Sequence, residues 1–337
     1  MPARSRNANV RQWRVPAAVA AVVMAGFGLA ACSQAPAAPN FPTKPVRILI
    51  PYGPGGVGDL TMRVLAQKLS ENVKQNFVIE NRPGAGGQLA MNGVLSSPSD
   101  GYTLAHIGNG QAIAKSLFKK LPYDVLKDFA PVSVVAKFAV LITVSSQSPY
   151  RSLNDVVEAA RKNPGKLNLG AINPGSTQNL SAHLFKQITG ADFTIVPYRT
   201  TPDLVTALLR GDVDVGFDYY AGFESQIEDR KFRVIATSGE TRDPLFKDVP
   251  TAVESGFPQY VVTSWNGLAV RAGTPADVVT LLNTEINRAL AAPEVQEKST
   301  RLGMESRGST PDEMRERLTR DIDRWRDVIE KAGIPKQ

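Results

Sequence analysis

Residues 46–80 read VRILIPYGPGGVGDLTMRVLAQKLSENVKQNFVIE, and this stretch decides the fold class. Residues 46–50 form the short apolar run of a buried strand, and the glycine-rich residues 53–58 follow it. Apolar residues then recur at helical spacing over residues 59–74, and residues 77–79 form a second apolar run that ends in Glu80. A strand, a glycine turn, a helix and a strand in this order predict a βαβ unit, the building block of a parallel sheet.

The glycine-rich residues also fit the G-x-G-x-x-G pattern of dinucleotide-binding enzymes, in which a carboxylate placed like Glu80 binds ribose. Two residues favour a different ligand. Asp59 follows the third glycine at the start of the helix, where it would repel a diphosphate, and Pro54 removes one N–H donor from the loop. For Glu80, a role in fixing the turn that follows it is favoured over ribose binding.

The N-terminus predicts export from the cytoplasm. Four arginines and no acidic residues occur before residue 31, and residues 15–31 are apolar but short for a membrane span. We therefore expect a signal peptide over residues 1–31. An exported protein meets essentially no NAD, which further weakens the dinucleotide interpretation.

The end of this segment, LAAC at residues 29–32, resembles a bacterial lipobox, in which the thiol of Cys32 carries a diacylglyceryl group. The alternative is an ordinary cleaved signal in which the cysteine is incidental. We expect a periplasmic protein that is held to a membrane by lipidation of Cys32, with residues 32–40 as a flexible tether.

Composition fits an exported globular protein without a cofactor. The 39 Lys+Arg residues outnumber the 32 Asp+Glu residues by seven, but removing residues 1–31 takes away four arginines and no acids, which leaves 35 against 32. A nearly balanced surface gives no support for nucleic-acid binding. The single cysteine excludes an intrachain disulfide, and the remaining length suffices for two domains with cores of their own.

Apolar runs and amphipathic helical patterns alternate along the rest of the chain, which predicts α/β architecture with largely parallel sheets flanked by helices. Strands are expected at residues 132–136 and 139–144, and between them the chain would cross to a second domain. Residues 310–313, TPDE, form a capping box at the start of a long helix that would pack on the first domain. We expect domain 1 to comprise residues 41–138 and 250–337, and domain 2 residues 139–249.

Polar or glycine-rich loops recur where a predicted strand ends and a helix begins, at residues 52–59, 109–111, 173–178 and 198–202. Ligands of open α/β sheets bind outside the carboxyl ends of the strands, where helix N-termini present unpaired N–H groups to an anion. Two sets of such loops on two domains predict a cleft suited to a carboxylate. Asp218 would lie near this cleft, whereas Asp212 and Asp214 fit a solvated strand edge better than a catalytic pair.

Enzyme and metal sites lack their usual ingredients. The chain has two histidines, His106 and His183, and both lie in strand or helix patterns that favour packed or surface roles over catalysis. There is no G-x-S-x-G elbow and no H-E-x-x-H motif, and the only cysteine precedes the folded part. We therefore expect no catalysis, no cofactor and no bound metal.

Short motifs spread over nearly the whole mature chain resemble those of one family. They are FPTKPVR at residues 41–47, YGPGG at 52–56, ENRPGAGG at 80–87, DGYTL at 100–104, LPYD at 121–124, KDFAPV at 127–132, NPGKL at 163–167, VPY at 196–198, DVPT at 248–251 and TSW at 263–265. In this order they resemble the Bug family, the extracytoplasmic substrate-binding receptors of tripartite tricarboxylate transporters.

The resemblance implies a two-domain periplasmic-binding-protein (Venus flytrap) fold without catalytic activity, which holds a carboxylate between its domains. It also implies delivery of the ligand to a membrane permease of one large and one small subunit, and we expect the receptor to be a monomer. The loops and the resemblance together give these candidate ligand-binding residues: Tyr52, Gly53, Pro54, Gly55, Gly56, Asp59, Asn109, Gln111, Gly175, Ser176, Thr177, Gln178, Tyr198, Thr200, Asp218 and Tyr219.

Two departures from the family pattern leave the ligand open. Many relatives carry Ser-Ser-His or a similar triplet where residues 177–179 read TQN, and Lys-Gly-Gly where residues 199–201 read RTT. Tyrosines near the expected cleft would also allow an aromatic carboxylate. Two other functions stay open: a receptor that signals to a sensor kinase, and an exported enzyme on the same fold, which the missing nucleophile and base disfavour.

Overall fold

A computed structural model describes residues 41–337, apart from Pro174 and the side chain of Ala85. The predicted signal peptide, the tether and Cys32 lie outside the described residues. Within the described part, no helix combines the length and the apolar character that a membrane crossing requires.

The described chain contains eleven strands and ten α-helices. The strands are β1 (Val46–Ile50), β2 (Phe77–Asn81), β3 (Thr103–Gly108), β4 (Phe129–Ala139), β5 (Leu141–Ser145), β6 (Asn168–Ile172), β7 (Thr194–Tyr198), β8 (Val215–Asp218), β9 (Phe232–Thr237), β10 (Thr263–Arg271) and β11 (Glu305–Ser306). The helices are α1 (Val57–Val73), α2 (Gln88–Leu95), α3 (Asn109–Leu117), α4 (Leu153–Lys162), α5 (Thr177–Thr189), α6 (Thr201–Arg210), α7 (Tyr220–Glu228), α8 (Ala276–Leu290), α9 (Pro293–Arg301) and α10 (Pro311–Lys331).

The strands form two sheets. The first has the order β11-β4-β10-β3-β1-β2, and the second has the order β7-β6-β8-β5-β9. The expectation of largely parallel sheets was wrong, because each sheet is mixed. The parallel pairs are the ones built by βαβ crossovers. The antiparallel pairs involve the strands that carry the chain from one sheet to the other and back, chiefly β4, β5, β9 and β10.

The βαβ unit expected from residues 46–80 is confirmed. β1 and β2 pair in parallel with Val46 opposite Phe77, and α1 connects them. The carboxylate of Glu80 accepts hydrogen bonds from Arg47 Nη2 at 2.9 Å and from Arg82 Nη2 at 3.0 Å. These contacts join the end of β2 to β1 and to the turn that follows, which is the structural role favoured for Glu80.

The chain leaves the first sheet at the junction of β4 and β5 and returns at β10. Residues 251–262 still contact the second sheet: Ala252 N donates to Thr237 O at 2.8 Å, and the Tyr260 hydroxyl lies 2.5 Å from Ser181 Oγ of α5. One hydrophobic core cluster contains residues of both sheets, including Leu49 and Phe217.

The C-terminal helix α10 begins with the expected capping box, in which Glu313 N donates to Thr310 Oγ1 at 3.1 Å. Its apolar stripe is buried as predicted, and it packs against α3 and β4. The helix also reaches the second sheet, because Gln187 Nε2 of α5 donates to Val328 O at 3.4 Å. α10 therefore contacts elements of both sheets.

Candidate functional site

A cavity of about 960 Å³ opens where loops of the two sheets face each other. Its wall is built from the loops after β1, β3, β6 and β8, from the start of α6, and from residues 264–266 of β10. The first four of these loops follow strands of the parallel parts of the sheets, so the cavity lies at the carboxyl ends of those strands. This is the position at which open α/β sheets bind ligands.

The cavity brings together thirteen of the sixteen residues that the sequence suggested for ligand binding. They are Tyr52, Gly53, Pro54, Gly55, Gly56, Asn109, Gln111, Gly175, Ser176, Thr177, Gln178, Asp218 and Tyr219.

Asp59, Tyr198 and Thr200 do not line the cavity. β7, which ends at Tyr198, is an edge strand of the second sheet. The Thr200 hydroxyl is occupied as the N-cap of α6, where it accepts a hydrogen bond from Asp203 N at 3.3 Å. The wall is formed instead by the next two residues, Thr201 and Pro202.

Asp59 is buried and holds the first glycine loop in place. Its Oδ2 accepts hydrogen bonds from Gly55 N at 2.9 Å and from Arg63 Nε at 2.8 Å, and its Oδ1 accepts one from Asn81 Nδ2 at 2.9 Å. Burial opposes ionisation of this carboxyl, but the three hydrogen bonds outweigh it, so the pKa of Asp59 lies below its usual range. Asp59 therefore positions the loop and is too enclosed to contact a ligand.

Five helix N-termini point at the cavity. The first residues or N-caps of α1, α3, α5, α6 and α7 all line it, including Gly56, Asn109, Thr177, Thr201 and Tyr219. The first N–H groups of a helix have no partner within the helix, and the helix dipole places partial positive charge there. The wall therefore offers several donors to a negatively charged group.

No lysine, arginine or histidine occurs among the described residues that line the cavity, and Asp218 carries the only charged side chain. Asp218 is 2% exposed and accepts hydrogen bonds from Gln178 Nε2 at 2.9 Å, Thr201 Oγ1 at 2.7 Å and Tyr219 N at 2.8 Å. Burial raises the pKa of the Asp218 carboxyl above its usual range, against the effect of these hydrogen bonds. Its oxygens are already engaged by the starts of three helices.

A hydrogen bond connects the two sheets across the cavity. The hydroxyl of Tyr219, at the start of α7, lies 2.6 Å from Ser264 Oγ on β10. Asn109 Nδ2 lies 3.5 Å from the same Ser264 oxygen, and Asn109 Oδ1 is buried without a hydrogen-bond partner. The Tyr219 ring packs edge-on against Phe138 of β4, with ring centroids 4.8 Å apart. The unpaired atom of Asn109 is thus a buried hydrogen-bond acceptor beside the cavity.

Two parts of the wall were missed as site residues. The segment Ser264, Trp265 and Asn266 lies inside β10, which has no helix or loop signal, and only its TSW motif marked it. The turn of Gly84, Gly86 and Gly87 also lines the cavity, although the sequence assigned it to the turn after β2 alone. Both segments reach the cavity through long-range contacts that local patterns do not encode.

Neither histidine is placed for catalysis. His106 is fully buried, and its Nε2 donates to Asn266 Oδ1 at 2.9 Å. Burial lowers the pKa of His106 to about 4, so the imidazole is neutral at physiological pH. His183 lines a separate surface pocket with Lys186 and Lys331. Among residues 41–337, no three His, Cys, Asp or Glu side chains are grouped as a metal site requires.

Comparisons with known proteins identify the family of this chain. The sequence model of the family TctC, described as the tripartite tricarboxylate transporter family receptor, matches residues 61–334. The protein BugT of Bordetella pertussis (strain Tohama I) is 31% identical over 318 residues, which cover 94% of this chain and 97% of BugT.

Two solved structures of similar sequence share the fold. Rpa4515 of R. palustris, solved with adipate, is 34% identical with a TM-score of 0.78, over 88% of this chain and 100% of that protein. MatC (Rpa3494) from Rhodopseudomonas palustris, with bound malate, is 31% identical with a TM-score of 0.72, over 86% of this chain and 100% of MatC. The predicted periplasmic-binding-protein fold is thereby confirmed. This chain therefore belongs to the Bug family, the tripartite tricarboxylate transporter receptors, which are periplasmic solute-binding proteins and not enzymes.

Proposed function

We propose that this receptor captures a small carboxylate between two lobes and delivers it to the two-subunit membrane permease of a tripartite tricarboxylate transporter. The lobes are the predicted domains: residues 41–138 with 250–337, and residues 139–249. The observation that carries the proposal is the convergence of five helix N-termini on one cavity whose described lining residues include no cationic side chain.

Helix N-termini suit a carboxylate ligand for a physical reason. Backbone N–H groups and hydroxyls are fixed by the fold, so they lose little freedom when they bind an anion. The donors come from both lobes: α1 and α3 follow strands of the first sheet, and α5, α6 and α7 belong to the second. Two relatives were solved with the carboxylates adipate and malate, which supports the same ligand class for this chain.

Closure of the two lobes is supported by contacts that join them beside the cavity. One is the hydrogen bond between Tyr219 and Ser264. The other is the packing of Gly175, before α5, on Leu117 of α3: a Cβ built on Gly175 would lie 2.5 Å from Leu117 Cδ2. A ligand that binds donors of both lobes stabilises this closed arrangement.

A thermal-unfolding screen of residues 33–337 against mono-, di- and tricarboxylates tests the proposal, with NAD as a negative control. A ligand at about 100 times its dissociation constant should stabilise the folded state by roughly 2.7 kcal/mol. Isothermal titration of each hit should give one ligand per monomer. A folded protein that responds to no carboxylate, or to NAD alone, would contradict the proposal.

Replacing Gly175 with alanine locates binding in the cavity. Gly175 has φ +80°, and its new methyl group would push against Leu117 across the lobes. Overpacking of this kind costs about 1–3 kcal/mol, so we expect affinity to fall about ten- to hundredfold. Gly190→Ala is the matched control, because Gly190 has φ +61° and no atom of the described neighbouring residues lies within 4 Å of the added Cβ. Equal loss of affinity in both variants would place binding elsewhere.

We also propose that a lipid on Cys32 holds the receptor to a membrane. The proposal rests on the LAAC motif at residues 29–32 and on the tether that follows it. A Cys32→Ser variant should move from the membrane fraction to the soluble periplasmic fraction. A variant that stays with the membranes would rule out this anchor.

A further inference from the structure

We propose that the ligand is a monocarboxylate with an apolar body, and that one side of α3 sets how long this body can be. This inference rests on the proposed function, and it adds the shape and the charge of the ligand. It starts from the division of the cavity wall into a polar and an apolar part along a single helix.

The polar part of the wall lies at the start of α3. Asn109 and Gln111 line the cavity there, close to the Tyr219–Ser264 hydrogen bond that joins the two lobes. Asn109 is 5% exposed and is the first residue of α3, so the backbone N–H groups of this first turn have no partner within the helix. A ligand carboxylate bound here receives hydrogen bonds from these N–H groups and lies at the positive end of the helix dipole.

The apolar part of the wall continues along the same helix. Ile113, Ala114 and Leu117 line the cavity, followed by Phe118 at the C-cap. At 1.5 Å per residue, residues 113–118 lie about 6–14 Å along the helix axis from Asn109. Ile172 and Pro202 add apolar surface from the second lobe. A ligand that runs along α3 therefore passes from donors to hydrocarbon.

Phe118 closes this apolar part. Its ring packs on the turn at Gly86, where an added Cβ would overlap it. The body of the ligand can therefore extend along α3 as far as Phe118 and no further without displacing this ring.

A second carboxylate has no favourable position at the far end of a ligand that runs along α3. There it would be desolvated against the apolar side chains of that helix. An anion removed from water without a cation or a full set of donors is strongly disfavoured. No cation is available among the described residues of the wall.

The test is a titration of the purified protein with straight-chain monocarboxylates from acetate to decanoate, and with adipate. Affinity should rise about fourfold per added CH₂, which is the value of about 0.8 kcal/mol per buried CH₂, until the chain reaches Phe118. Hexanoate and adipate have the same number of carbons, so they isolate the second charge. We expect hexanoate to bind at least tenfold more tightly than adipate.

Two variants shift the length limit in opposite directions. Ala114→Leu fills the middle of the wall and should weaken octanoate at least tenfold more than it weakens acetate. Phe118→Ala opens the end and should extend the rising part of the series to longer acids. If one variant fails to fold, the other still decides, because each predicts a specific change of the length profile.

The outcomes separate the two proposals. A flat length series, or tighter binding of adipate than of hexanoate, would overturn the monocarboxylate inference and leave the carboxylate receptor standing. If both variants fold and neither changes how affinity depends on chain length, α3 does not set the length limit. If no carboxylate binds, both the proposed function and this inference are wrong.

Discussion

Trp265→Ala is expected to lower the free energy of unfolding by about 3–5 kcal/mol. Trp265 is 1% exposed, and its indole Nε1 donates to Asp321 Oδ2 of α10 at 2.7 Å. The guanidinium of Arg317 lies 5.5 Å from the centre of the indole ring. The substitution removes a large buried side chain and leaves the Asp321 carboxylate without this donor. Urea denaturation of the wild-type and variant proteins measures the loss.

Two milder substitutions measure how much the Trp265–Asp321 hydrogen bond contributes to the free energy of unfolding. Trp265→Phe and Trp325→Phe both remove a buried indole, but the Trp325 Nε1 has no hydrogen-bond partner among residues 41–337. We expect Trp265→Phe to destabilise more, by about 1.5–3 kcal/mol, which is the range for hydrogen bonds to charged groups. Equal effects of the two variants would mean that the contact with Asp321 adds nothing to stability.

His106 should make the protein less stable as the pH falls from about 6.5 to about 4. Burial lowers the pKa of His106 to about 4, whereas an unfolded histidine titrates near 6.5. Between these values the unfolded chain binds the extra proton, so unfolding is favoured as pH falls, and above about 6.5 the effect disappears. At 1.36 kcal/mol per pH unit, His106 accounts for about 3 kcal/mol across this window.

His106→Gln tests this pH dependence, because glutamine retains an N–H donor for Asn266 but does not titrate. The unfolding free energies of the wild-type protein and the variant are measured at a series of pH values. Between pH about 4 and about 6.5, their difference should change by up to about 1.36 kcal/mol per pH unit. Asp59 does not interfere: its pKa is lowered, so its stabilising contribution is lost only below the pKa of an unfolded aspartate, about 3.9. A difference that stays constant over this pH range would show that His106 does not cause the pH dependence of stability.

The parts of the fold and of the cavity wall that could be predicted are those that short stretches of sequence encode. Residues 46–80 carry their own strand, turn and helix signals, and four loops of this type predicted most of the cavity wall because parallel strands end at the same edge of a sheet. β10 was not predicted, since its two neighbours β3 and β4 are distant in sequence and both pair with it antiparallel. Its residues Ser264 to Asn266 were missed as part of the wall for the same reason.

Asp59 illustrates a different limit of sequence reasoning. A carboxylate at the start of a helix looks the same in sequence whether it faces a ligand or the protein. The partners that decide between these roles are Arg63, one helical turn away, and Asn81, at the end of β2. Only the contact with Asn81 depends on the tertiary fold. This contact turns Asp59 inward, under the glycine loop.

The absence of a cation from the described cavity wall affects how fast a ligand is captured and where the receptor can work. Attraction between full charges weakens when salt shortens the Debye length, to about 8 Å at 0.15 M ionic strength. The field of a helix dipole falls off within about one turn of the helix end. Residues 41–337, with 35 basic against 32 acidic residues, create little long-range field. Capture then depends on diffusion and lobe closure, so its rate constant should be nearly the same in dilute and in salty surroundings.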